Sequence, residues 1–279
     1  AASYYEPGMA YVSYTGFRQD DFRPFLYKTT DYGKTWTSIA SNLPNEPINV
    51  IREHPENPNL LFVGTDFAVH VSFDGGLSWT RFKNNMPTQP VHDLKIHPRE
   101  NDLIVATHGR GIFIADIYPL REMNSQVLGQ DIHLFEVEPK IKWVGRLNPE
   151  YAYNNFEGQS EPLASPIYYY LKNKIDKEVK VSIYKGNVLV NEIKGTNEAG
   201  INKVLWDWTI RKERSEEGKK RVQEMLKRYA EYGYTPRGRS LDVNYEYLPA
   251  LPGDYLVVLT VGDKSFTRTA RLLPDTWGD

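Results

Sequence analysis

The segment Thr29-Thr30-Asp31-Tyr32-Gly33-Lys34-Thr35-Trp36 recurs 43 residues later as Ser72-Phe73-Asp74-Gly75-Gly76-Leu77-Ser78-Trp79. The same offset carries Asn42-Leu43-Pro44 onto Asn85-Met86-Pro87 and His54-Pro55 onto His97-Pro98. A period of about 40–50 residues that holds several short strands is the signature of propeller blades. It constrains the fold more than any other feature. Each repeat is a small sheet that buries its faces only against neighbouring sheets.

Within one period the residues read as four strands, at 48–52, 60–64, 68–73 and 79–82. The second is a nearly continuous apolar run, which suits a strand buried on both faces. The third alternates Val69, Val71 and Phe73 with His70 and Ser72. Between the third and fourth lies the pattern Ser/Thr-x-Asp-x-Gly-x-Ser/Thr-Trp, an Asp-box. Its members are Thr29, Asp31, Gly33 and Trp36 in one copy and Ser72, Asp74, Gly76 and Trp79 in the other. The Asp can bond backbone N–H groups of its own turn, Gly supplies a positive φ, and the Trp packs back between strands or blades.

Aligned copies are cut short at both ends. Glu6-Pro7-Gly8-Met9 falls on Asn57-Pro58-Asn59-Leu60, so the first blade's opening strand is expected to precede residue 1. Residues 92–96, 103–106 and 111–115 give three strands of a last blade, where Asp116-Ile117-Tyr118-Pro119 replaces the Asp-box. Residues 1–118 therefore read as a partial β-propeller, one full blade between two incomplete ones. Open sheet edges invite pairing. A companion chain or an N-terminal fragment is expected to complete the ring and to supply the missing fourth strand.

The second half has a different rhythm. Residues 119–135, with Pro119, Asn124-Ser125 and Gly129, read as a linker. From 136 to 279 come short strands at 166–171, 179–184, 188–193, 202–209, 255–261 and 265–272. Lys185-Gly186-Asn187 and Gly262-Asp263 mark two hairpins. This spacing predicts an antiparallel β-sandwich of immunoglobulin or fibronectin type, so the chain is all-β. One helix interrupts it at about 215–232, where Val222, Met225, Leu226 and Tyr229 share a face behind Glu216-Glu217. Its opposite face carries Lys219, Lys220, Arg221, Lys227 and Arg228, which reads as a solvated surface or, alternatively, as a docking surface for a partner or an anionic glycan.

Composition excludes several classes. The net charge is −2 with mixed signs, so no footprint for nucleic acid is present. No apolar run approaches the ~20 residues of a membrane-spanning helix. The absence of cysteine removes disulfides, thiolate metal sites and a Cys nucleophile. No cofactor motif or metal-binding pattern is found. The His-Pro pairs repeat with the blades, which favours turn packing over ligation.

Candidates for chemistry are few. Asp31 and Asp74 sit in turns that consume them, so they read as structural. The loops expected to reach a ligand face carry Asp66, His108 and Arg110, with inter-blade loops near Asn45-Glu46 and Asn84-Asn85. A glycosidase needs two carboxyls about 5–10 Å apart, and only Asp66 and Glu46 qualify. Trp206 and Trp208 could stack on sugar but read as core aromatics. No residue is assigned a catalytic role.

Three segments resemble one bacterial family: 22–31 (Phe22-Arg23-Pro24-Phe25-Leu26-Tyr27-Lys28-Thr29-Thr30-Asp31), His108-Gly109-Arg110-Gly111-Ile112, and Ala199-Gly200-Ile201-Asn202 with Trp206-Asp207 and Pro252-Gly253-Asp254-Tyr255. It comprises large secreted proteins with Asp-box (BNR) repeats and a sortilin-like propeller, often labelled glycosyl hydrolases, followed by an immunoglobulin-like module. The resemblance covers nearly the whole chain and implies a C-terminal portion of such a protein, extracellular or in the cell envelope. The hydrolase label travels with the repeat, and a shared fold does not establish chemistry. The expected function is non-catalytic binding or scaffolding, directed at protein, peptide or glycan. The alternative is a sialidase- or xyloglucanase-like glycoside hydrolase whose main catalytic residues lie on other blades.

Overall fold

The computed structural model describes residues 1–83, 85–143, 161–234 and 241–276. Asn84, part of one expected inter-blade loop, lies outside them. The chain divides into two compact units, Ala1–Gln130 and Asp131–Asp279.

The first unit is three antiparallel sheets in series. The first holds β1 (Ala10–Gly16), β2 (Asp21–Thr29) and β3 (Thr37–Ser38). The second holds β4 (Ile48–His54), β5 (Asn57–Thr65), β6 (Val69–Ser72) and β7 (Thr80–Phe82), hydrogen-bonded in that order. The third holds β8 (Val91–Ile96), β9 (Asp102–Thr107) and β10 (Ile112–Asp116). This is a partial propeller with one full blade.

The central blade shows why the pattern folds this way. Residues 60–63 of β5 are entirely buried, because both sheet faces are covered. Leu61 and Val63 join Tyr11, Leu26 and Trp79 in one apolar cluster between the first two sheets. On the opposite face Gly64 lies against the third sheet, where an added Cβ would stand 2.6 Å from Val91 Cγ1. Only a residue without a side chain permits that approach.

Residues 1–3 refine the reading of the first blade. Ala2 bridges Ala10 in the manner of Glu53 opposite Leu61 one repeat later, and Ser3 N donates to Met9 O. Residues 1–3 thus lie along β1 in the position that the end of β4 takes on β5, where the alignment placed the whole opening strand before residue 1.

The stretch read as a linker is folded. A 3-10 turn at Tyr118–Glu122 buries Tyr118, Pro119 and Leu120, and α1 (Ser125–Gly129) buries Val127. Asn57 Nδ2 donates to Arg121 O at 2.9 Å, and Arg121 pairs with Glu56 at 2.7 Å. These elements are too short to show a hydrophobic period. Their local signals were nonetheless present: Pro119 at the start of the turn, and Asn124, whose Oδ1 accepts from Val127 N at 3.0 Å.

The second unit is a sandwich. One sheet orders β11 (Ile132–Leu134), β13 (Ser165–Leu171) and β16 (Gly200–Trp206). The other runs β12 (Lys140–Lys142), β20 (Lys264–Pro274), β19 (Gly253–Val261), β14 (Val179–Lys185) and β15 (Val188–Lys194). A hairpin of β17 (Thr209–Glu213) with β18 (Tyr245–Pro249) brackets α2 (Glu216–Glu231). Alternate residues of β13, β14, β16 and β19 meet in one core around Ile167, Tyr169, Val181, Ile183, Trp206, Tyr255 and Val257. α2 starts at Ser215, whose Oγ accepts from Gly218 N at 3.1 Å, and buries Val222.

Candidate functional site

The two Asp-box turns are built alike. Thr29 Oγ donates to Asp31 Oδ1 at 2.9 Å, and Thr35 donates to the same carboxylate through its N–H at 2.9 Å and its hydroxyl at 2.7 Å. Asp74 accepts from Ser72 Oγ at 2.7 Å, Ser78 N at 2.9 Å and Ser78 Oγ at 2.5 Å. Gly33 (φ 81°) and Gly76 (φ 95°) take the left-handed region the turn requires. The Thr35 amide and hydroxyl hold Asp31 below the usual carboxylate range. Burial works against ionisation of Asp74, but the Ser78 hydroxyl and amide outweigh it and lower its pKa as well. Each aspartate is a charged staple for its own turn.

The tryptophans that follow differ in surroundings. Trp79 is 4% exposed, its Nε1 donating to Ile39 O of the preceding blade at 2.8 Å. Asn42 grips its backbone twice, accepting from Trp79 N at 2.7 Å and donating to Trp79 O at 2.8 Å. Trp36, at the same repeat position, is 45% exposed.

The expected ligand-face residues sit in equivalent loops of successive blades. Asp66 N donates to Pro47 O at 3.3 Å, and His108 N donates to Pro90 O at 3.0 Å. Asp66 Oδ1 accepts from Asn49 Nδ2 at 2.9 Å, while the same amide reaches Val91 O at 3.2 Å. Glu46 Oε2 accepts from the Thr65 hydroxyl at 2.6 Å. The His108 ring lies 5.0 Å from that of His92. Arg110 is exposed in the β9–β10 turn. The two carboxylates thus bond different neighbours, Asn49 and Thr65.

A second group of polar residues lies on the opening strands of the blades. Asn49, Arg52, His92 and Asp93, with Ser13, line a hollow of about 260 Å³. Arg52 and Asp93 form an ion pair at 2.6 Å between β4 and β8. These residues carry no local motif, and their grouping depends on β4 and β8 becoming neighbours. The repeat held the signal, since Asn49 and His92 stand one period apart. Beside them Glu53 is 3% exposed and saturated, accepting from Tyr11 OH at 2.8 Å, Tyr4 N at 2.6 Å and Ser3 Oγ at 2.9 Å. Burial, then the Glu53 charge, raises the Tyr5 pKa to about 12.

The remaining candidates are structural in their contacts. His54 Nδ1 accepts from Glu56 N at 3.0 Å, and His97 Nδ1 accepts from Glu100 N at 3.1 Å. Each His-Pro therefore closes its own turn, leaving the His54 proton on Nε2. Burial pushes His54 down to about 4, the Arg121 charge adding to the effect while Glu56 opposes it. Trp206 and Trp208 are both buried; Trp206 Nε1 donates to Thr209 O at 3.0 Å and Trp208 Nε1 to Ser165 Oγ at 2.9 Å. Neither offers a face to a sugar.

No helix among the described residues is long and apolar enough to cross a membrane. A comparison with curated proteins gives no match. Residues 25–119, from within β2 to the turn after β10, match the Sortilin-Vps10 family model (sortilin, neurotensin receptor 3). Over that stretch the chain is similar to the sortilin-type β-propeller.

Proposed function

We propose that this chain is the binding or scaffolding portion of a propeller protein that acts outside the cytoplasm, in the extracellular space or cell envelope. The propeller recognises a protein, peptide or glycan, and the sandwich braces it or docks a partner. A companion chain or N-terminal fragment supplies the remaining blades. Similarity to a sortilin-type propeller supports recognition rather than chemistry.

The observation that carries this reading is the state of the carboxylates. Asp31 and Asp74 are consumed by their turns, Glu53 is saturated, Glu46 and Asp66 bond different neighbours, and Asp93 is paired with Arg52. General acid–base hydrolysis of a glycoside needs two carboxyls facing one bond. The surface of Asn49, Arg52, His92 and Asp93 instead offers mixed donors and acceptors, the chemistry of recognition.

The test is a glycan array and peptide panel applied to the assembled protein, read for both binding and hydrolysis. Binding without turnover is expected, with Arg52→Ala weakening it by about tenfold, the scale of one charged contact. Hydrolysis that disappears in Asp66→Ala would establish the glycoside hydrolase instead.

A further inference from the structure

The blades repeat a pair of side chains as well as a turn. In β4 the register on β5 passes from Ile48 opposite Thr65 to Val50 opposite Gly64, so Asn49 is the extra residue of a bulge. In β8 the register on β9 passes from Val91 opposite Thr107 to Asp93 opposite Ala106, which leaves His92 in the same position. A bulge re-aims its extra side chain. Each one lies beside the residue that follows the partner strand, Asp66 after β5 and His108 after β9. The backbones match too, Asp66 N donating to Pro47 O and His108 N to Pro90 O.

The chemistry of the pair changes between the blades. In the central blade an amide meets a carboxylate, Asn49 Nδ2 donating to Asp66 Oδ1 at 2.9 Å. In the last blade two imidazoles meet, their ring centres 5.0 Å apart and their planes inclined by 33°. Both residues are exposed, and no hydrogen bond to either ring is made among the described residues. A neutral imidazole keeps a lone pair on one nitrogen. Two imidazoles bound to one ion at about 2.0–2.1 Å, with an angle of about 90–110° between the bonds, hold their ring centres about 4.5–5.3 Å apart. The observed separation falls inside that interval.

We propose that His92 and His108 form a two-imidazole clamp for a divalent late transition-metal ion, Cu²⁺ ahead of Ni²⁺ and Zn²⁺. Imidazole suits these ions, whereas Mg²⁺ and Ca²⁺ take oxygen ligands. Among the described residues no group of three or more His, Asp or Glu side chains is placed to hold a metal. The protein therefore supplies two ligands, and the ion keeps open positions for water or for a donor atom of a molecule bound on this face. His92 also lines the hollow shared by Asn49, Arg52 and Asp93, so a seated ion sets a Lewis-acidic contact at its edge. With no carboxylate or carbonyl behind the rings to fix them, the ion exchanges readily. This inference goes beyond the binding reading and does not depend on it.

Cu²⁺ alone is the probe, titrated into the full chain in a non-coordinating buffer and followed by calorimetry and electron paramagnetic resonance. A dissociation constant on the order of 10 μM is expected, since half the ligands of a closed structural zinc site supply about half of its binding free energy. The spectrum should show nitrogen couplings from two imidazoles. His92→Ala and His108→Ala, both changes at exposed positions, should each weaken binding by more than the about tenfold that loss of a supporting partner costs. Each should leave a single imidazole in the spectrum, with near-ultraviolet dichroism unchanged. His133→Ala, in the second unit, should alter neither affinity nor spectrum. Zn²⁺ should compete for the same pair more weakly, and Mg²⁺ not at all. Copper bound equally well by both variants would place the ion elsewhere and overturn the proposal. Coupling to one imidazole in the unaltered chain would overturn it too, leaving the rings as a stacked pair. The glycan and peptide panel reads a different property, so either result can fail alone.

Discussion

His54 is fully buried and titrates at about 4, against 6.5 for a free imidazole. The unfolded chain therefore takes up a proton first as pH falls, and stability is lost on the acid side. Denaturant midpoints of the first unit should decline between about 6.5 and about 4, this group's contribution levelling off below. His54→Gln should make that decline shallower; an unchanged slope would mean another group drives it. At this scale the repeat was informative wherever a residue serves its own turn. Asp31, Asp74 and the His-Pro pairs could be read because local hydrogen bonding fixes both residue type and spacing. Asn49, Arg52, His92 and Asp93 could not, because their association depends on which strands become neighbours.

The strands of the central blade were readable because their apolar runs reflect burial on both faces. Their ends shifted by one to three residues, β5 beginning at Asn57 where the apolar run began at 60. The elements at 118–129 stayed hidden because a five-residue turn and a five-residue helix are shorter than two helical turns. Adjacent blades approach closely at Gly64. An alanine there would place Cβ 2.6 Å from Val91 Cγ1 and 2.8 Å from Val50 Cγ1. Gly64→Ala should destabilise the first unit by about 1–3 kcal/mol, the scale of overpacking, measured by urea unfolding. Gly129→Ala, with nothing within 4 Å, should be close to neutral in the same assay.

At the scale of the molecule, both kinds of sheet array were visible from residue spacing, and the division between the units falls within the stretch 119–135. The first unit keeps residues 119–130, which the sequence reading gave to a linker. Among the described residues, the core cluster of the second unit is made of residues from 132 onward. Expressed alone, residues 131–279 should give near-ultraviolet dichroism and one cooperative thermal transition. A broad, non-cooperative melt would show that this core needs more than its own strands. In the first unit, Trp79 lies in an apolar slot made by the blade before it, while Trp36 stands with its indole half in water. The same side chain is thus held at two polarities in one molecule. Indole emission moves to shorter wavelength as water is withdrawn, so the chain carries a built-in optical gauge. With Trp143 (50% exposed) and Trp277, which lies outside the described residues, both replaced by Phe, a blue shift from Trp36 would report the arrival of a blade on its side in real time.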